Sequence, residues 1–277
     1  MRWRRAQSGF TLVEMIMVIV ITGIIGALAA MFLKAPVQQY LDIARRAEMT
    51  DIADTALRRI GRDLRTAVPN SLRLPTAAGS TYLEFLPTSA GARYRTGEPG
   101  DILDFTIADS SFDVIGQVTF AAGDHIVLGS TQSDGNPPYD STTAGVRRAY
   151  TGTAGTKTNV AIAGAAQFPA FAEVPGHRFV VVPGDQQAVT YACENVGITN
   201  GEGTGTLKRY WHYGFNTTQA APPLSGSNAI LADKVSSCNI VYDVANQRNG
   251  LVAITLGITR GGESISLYHE IHVNNVP

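Results

Sequence analysis

Ser8-Gly9-Phe10-Thr11-Leu12-Val13-Glu14 opens an apolar run that continues to Leu33. Over residues 10–33, Glu14 is the only charged side chain. At about 1.5 Å per residue the run makes about 36 Å of helix, enough to cross a bilayer core of about 30 Å. A carboxylate near the start of such a segment costs about 2.5 kcal/mol or more if it sits deep and unpaired. The run therefore predicts a membrane-spanning helix whose carboxylate has a partner to find. Arg2, Arg4 and Arg5 precede the run and no acidic residue does, which predicts the N-terminus inside and the bulk of the chain outside the cytoplasm. Two plainer readings compete. One is a secretory signal peptide with Ala27-Leu28-Ala29 as its small-residue cleavage site; the other is an ordinary single-pass anchor. The length of the run, which continues to Leu33, opposes the first.

Gly9-Phe10-Thr11-Leu12-Val13-Glu14 resembles the processing motif of type IV prepilins and type II secretion pseudopilins. In that family a membrane peptidase cuts after the glycine, the new N-terminal residue is N-methylated, and the mature proteins polymerise through their apolar helices. The resemblance implies a cut between Gly9 and Phe10, methylation of Phe10, and an assembly role for Glu14, the fifth mature residue. Cutting creates a cation at Phe10, and Glu14 can neutralise that of a neighbouring subunit in lipid. Phe10 and Glu14 are also four apart, so a pair within one chain is open to them. The partners implied are a prepilin peptidase/methyltransferase, other pilins and minor pilins met through the N-terminal helix, an inner-membrane assembly platform and the inner membrane itself. The implied location is the inner membrane, with the C-terminal domain in the periplasm, and then a pilus or pseudopilus.

The chain has 277 residues, a net charge of −1 and 44% hydrophobic residues. Near-neutral charge argues against a nucleic-acid partner. The residues after the apolar run suffice for one large domain or two small ones, and no composition shift or repeat marks a division. Two cysteines, Cys193 and Cys238, lie in the exported part and predict one disulfide, the alternative being two buried free thiols.

The predicted organisation is a leader over residues 1–9, a helix over 10–68 with its membrane part at 10–33, and a β-rich globular domain over 69–277. Gly23 and Gly26 allow close helix approach, and Pro36 predicts a kink or the exit from the membrane. Beyond it Leu41, Ala44, Ile52, Ala56, Leu57, Ile60 and Leu64 form an apolar stripe. Asp42–Arg46, Asp54–Arg58 and Arg59–Asp63 form i,i+4 pairs on a solvated face. Pro69 predicts the helix end near Val68. From residue 70 the period becomes two. Strands are predicted at 82–86, 102–107, 125–128, 178–182, 188–193, 207–213, 251–259 and 264–273, the last two joined by a hairpin turn at 260–263. Residues 129–176 read mostly as loop, with a strand near 159–163. The fold class is α+β: a long N-terminal helix packed on an antiparallel sheet, as in pilins.

Further segments narrow the resemblance. Ala67-Val68-Pro69-Asn70-Ser71-Leu72-Arg73, Leu83-Glu84-Phe85-Leu86-Pro87, Val235-Ser236-Ser237-Cys238 and the tail from Leu267 to Pro277 are similar to minor pilins of mannose-sensitive haemagglutinin (MSHA) pilus systems. The resemblance implies a minor pilin that helps initiate or cap a pilus. A minor pseudopilin of a type II secretion system is the nearest rival, and a tip adhesin for glycans is the rival of another class.

Other constellations carry less. His269 and His272 are three apart and point to opposite faces of a strand, so they cannot chelate together; His269 falls on the apolar face and reads as a core histidine. Gly201-Glu202-Gly203-Thr204-Gly205 lacks the Gly-Lys-Ser/Thr ending of a phosphate loop and reads as a turn. Asp134, Asn136 and Asp140 offer oxygen ligands for calcium at a spacing that is not an EF-hand. Tyr210-Trp211-His212-Tyr213 is either a sugar-stacking platform or, on the plainer reading, alternate residues of a core strand. No nucleophile elbow or acid–base pair points to an enzyme, and no cofactor is implied.

Overall fold

The computed structural model describes residues 9–74, 76–77, 80–131, 138–140, 145–164, 167–223, 225–246 and 249–276. The chain divides into two units, Met1–Glu48 and Met49–Pro277, and one helix, α1 (Leu12–Arg65), contributes to both.

In the first unit α1 is long and apolar enough to cross a membrane, and none of its most apolar stretch is buried. Ile16, Met17, Val18 and Ile19, which point about 100° apart around the helix, are all more than half exposed. A helix that is apolar all round and covered by nothing has its solvent in lipid or in other helices. Thr22 Oγ1 donates to Val18 O at 2.7 Å, so its hydroxyl is satisfied within the helix. Pro36 lies inside α1 and does not end it; its missing N–H leaves the carbonyl four residues earlier without a helical donor. Asp42 pairs with Arg45 three residues on, at 3.4 Å.

In the second unit the strands are β1 (Thr76–Ala77), β2 (Ser80–Phe85), β3 (Ala90–Tyr94), β4 (Ser111–Phe120) and β5 (His125–Leu128). Then come β6 (Arg147–Ala149), β7 (Gly155–Ala161), β8 (Arg178–Val182), β9 (Val189–Glu194) and β10 (Ile198–Thr199). The last are β11 (Glu202–Gly203), β12 (Gly205–Trp211), β13 (Ser227–Asn246), β14 (Asn249–Arg260) and β15 (Glu263–Asn274). A seven-stranded sheet runs β1-β2-β9-β12-β13-β14-β15 and a six-stranded sheet runs β6-β5-β8-β3-β4-β7, with β10 and β11 as a separate small hairpin. Neighbouring strands are antiparallel throughout these pairings.

Two cores arise from the two-residue period of β2. Leu83 and Phe85 turn to α1, where they join Met49, Ala53, Leu57, Ile60 and Leu64 with Tyr191, Val252, Ile254 and Ile271. Tyr82, beside them in the strand, turns the other way and joins Ala192 and Tyr210 against Tyr94, Phe112, Phe179 and Val181 of the six-stranded sheet. The seven-stranded sheet is thus covered on one face by residues 49–65 of α1 and on part of the other by the second sheet.

Several expectations are corrected. The buried stripe begins at Met49; Leu41 and Ala44 are exposed. The helix closes at Arg65 instead of Val68. Thr66 and Ala67 make three-residue bonds to Asp63 and Leu64, and Val68 N then donates to Leu86 O at 2.8 Å, drawing the chain into the sheet. Residues 102–107 form no strand: the Asp104 carboxylate accepts from Thr106 N (2.7 Å) and Thr106 Oγ1 (2.6 Å), a local turn that outcompetes the ladder. Residues 129–176 hold β6 and β7 as well as loop. The longest strand, β13, gives no clear period in the sequence; Lys234 at φ 55° and a register shift between Val235 and Ser237 break its alternation. The β14–β15 hairpin forms as expected, its two-residue loop being Gly261 and Gly262 at φ 61° and 80°, the geometry of a type I′ turn.

Candidate functional site

The candidate site is the start of α1. Thr11 is its N-cap: Thr11 Oγ1 accepts from Glu14 N at 3.3 Å, and Thr11 O accepts the first helical bond, from Met15 N at 3.2 Å. Thr11 and Glu14 are therefore the first and fourth residues of a capping-box sequence, a signal that the sequence carries but that the charge of Glu14 overshadows. The Glu14 carboxylate has no ion-pair partner among the described residues. Gly9 and Phe10 lie before the helix in exposed chain, Phe10 being 80% exposed. A Cβ built on Gly9 would meet nothing within 4 Å. Met1 to Ser8, the rest of the expected leader, lie outside the described residues.

Cys193 on β9 and Cys238 on β13 form a disulfide with Cα atoms 6.3 Å apart. The two strands are not hydrogen-bonded neighbours, since β12 lies between them in the sheet. Cys193 is fully buried in the core under α1.

Two buried polar clusters have no signature in the sequence. Asp63, expected on a solvated face opposite Arg59, turns to the sheet, where its Oδ2 accepts from Tyr191 Oη at 2.7 Å and Arg209 Nε at 3.1 Å. Burial and the facing Asp63 charge push the Tyr191 hydroxyl well above its ordinary range. Glu84 is fully buried and pairs with Arg73, whose Nη1 also donates to Thr217 O at 2.8 Å. Tyr213 Oη donates to the other Glu84 oxygen at 2.7 Å, and the Arg73 guanidinium lies 3.7 Å from the Tyr139 ring centre. Burial pushes the Glu84 carboxyl up, against the pull of Arg73. Both clusters join elements distant in sequence, and spacing alone gives no sign of them.

The remaining sequence candidates resolve differently. His269 faces α1, where a Cβ on Gly61 would come within 3.3 Å of its Nε2; His272 is exposed on the opposite face. Glu202, in the glycine-rich turn, accepts from Gly261 N at 2.7 Å and pairs with Lys234, so it braces a hairpin. The 210–213 run presents no aromatic platform. Tyr210 and Tyr213 are each 8% exposed and their hydroxyls are committed to Glu194 and Glu84, while Trp211 packs on the α1 side with Arg209 over its ring. Asp134 and Asn136 lie outside the described residues, among which no group of three or more His, Cys, Asp or Glu is arranged to hold a metal.

Residues 4–30 match the family model described as the prokaryotic N-terminal methylation motif. No curated protein and no solved structure matches the chain significantly. The match supports a type IV pilin-like or pseudopilin protein, and with the apolar helix it fits membrane anchoring. The architecture, one long apolar N-terminal helix with antiparallel sheets, is α+β and pilin-like.

Proposed function

We propose that this chain is a minor pilin, cut between Gly9 and Phe10 by a prepilin peptidase, N-methylated at Phe10, and built into a type IV pilus of the MSHA kind as a counterpart of its minor pilin O. The observation that carries the reading is Glu14: one carboxylate in the first turn of α1, in a run to Leu33 that is otherwise uncharged and apolar, exposed and with no ion-pair partner among the described residues. Its partner is then the methylated amine of a neighbouring Phe10, available only after the cut. Before assembly, α1 holds the chain in the inner membrane with the β-rich part in the periplasm, and an assembly platform passes it to the filament. No enzymatic step is assigned to the chain.

The test is the mature N-terminus. Mass spectrometry of the protein purified from cells with the peptidase should find N-methyl-Phe10. An intact Met1, or a start after Ala29, would overturn the reading.

A further inference from the structure

An open cleft of about 590 Å³ lies in the second unit, between residues 65–69, the tail at Asn274 and Val276, and the outer face of β3 and β8. Three arginines line it, Arg65, Arg93 and Arg178, and no Asp or Glu does. Its lining is largely apolar, with Val180 and Val276 contributing.

Arg93 and Arg178 are directly opposite each other in the β3–β8 ladder, and both side chains are exposed. Residues so paired share a face with Cβ atoms about 5 Å apart, and like charges there destabilise a sheet. Local roles explain two of the three charges. Arg93 Nε donates to Gly176 O at 3.1 Å, and Arg65 stands in the last turn of α1, where a cation suits the helix dipole. Arg178 makes no side-chain hydrogen bond or salt bridge to the described residues, so among them no bonded partner offsets its repulsion from Arg93.

We infer that this cleft is a docking site for an acidic, partly apolar peptide segment of a partner protein. A carboxylate between Arg93 and Arg178 converts the repulsion into two charge-assisted, fork-shaped contacts. Apolar side chains beside it cover the apolar lining, which a sugar or phosphate polyanion would leave wet. Arginines around an apolar patch are also the composition of interface hot spots. The inference does not depend on how the N-terminus is processed.

The experiment uses the full chain in detergent micelles and a fluorescently labelled peptide of alternating glutamate and valine. A lysine–valine peptide, inorganic phosphate and heparin are the comparison probes. The acidic peptide should bind, the lysine peptide should not, and phosphate should compete poorly. Arg178→Glu and Arg178→Gln should each weaken binding by about tenfold or more, the scale of removing one charged interaction from an interface. The melting temperature of Arg178→Glu should stay level or rise, because a Glu opposite Arg93 removes the like-charge pair. Equal binding of acidic and basic peptides, unchanged affinity in both variants, or binding of heparin without binding of the acidic peptide would overturn the inference. So would a loss of affinity matched by a lower melting temperature in both variants, which would give Arg178 a structural role.

Discussion

Glu14 illustrates how magnitudes separate two roles for one side chain. As the fourth residue of a capping box begun by Thr11, it gains about 0.3–1 kcal/mol from the helix dipole. Deep in lipid and unpaired it costs about 2.5 kcal/mol or more. The helix start alone therefore does not offset the charge, and a second partner is required. Glu14→Ala should still be cut and methylated but should be missing from sheared filaments probed by immunoblot; normal incorporation would sink the pairing mechanism. At the same scale, His125 is held neutral: burial first, then the charge of Arg147, push it down to about 4, while Asp124 pulls the other way, and Phe215 lies edge-on at 4.8 Å. A group depressed in the folded state favours folding only while it is deprotonated. Its stabilising contribution is complete above about 6.5 and is lost as pH falls from there toward about 4. His125→Gln should flatten that part of the melting temperature–pH curve, read as a difference from the parent so that carboxylates titrating in the same range cancel.

At the scale of elements, α1 is one helix with two environments. Residues 49–65 bury Met49, Ala53, Leu57, Ile60 and Leu64 against the sheet, and Asp63 ties the same face to Tyr191 and Arg209. Ile60 is fully buried, so Ile60→Ala should lower unfolding stability by about 2–5 kcal/mol, measurable by denaturant titration; a loss below about 1 kcal/mol would mean that the stripe does not pack as described. The periodic part of this helix was legible because packing repeats every three to four residues. The β14–β15 hairpin was legible for a like reason, with strict alternation and two glycines at its loop. Residues 102–107 read as a strand but fold as a turn, since hydrophobicity says nothing of where the Asp104 carboxylate bonds. The bulged β13 hid behind the same blindness.

For the whole molecule, the disulfide is the covalent tie within the second unit. It spans a sequence separation of 45 and links strands that the ladder leaves unjoined. Closing such a loop restricts the unfolded chain by about 4 kcal/mol in the chain-entropy model. Cys193→Ala with Cys238→Ala should therefore lower stability by about 2–5 kcal/mol, seen in thermal melts; an unchanged melt would mean that the sheet needs no cross-link. The buried Arg73–Glu84 pair, with Tyr213 and Tyr139, gathers residues from β2 and from three loop segments. Its members are worth most together, because removing one strands the charge of another in a low-dielectric interior.

The sequence by itself determined the membrane-length helix, the N-terminal methylation motif, the apolar stripe, the terminal hairpin and the α+β class. Each of these is local: a run, a spacing or a period that a few neighbouring residues express by themselves. Only the tertiary structure decided that the β-rich part has two sheets and two cores, that a half-buried Asp63 and a buried Glu84 anchor polar clusters, that Tyr210 and Tyr213 face inward, and that Arg93 and Arg178 stand side by side. Those outcomes depend on register and on pairing between residues far apart in the chain, and a one-residue slip along a strand would send each side chain to the opposite face.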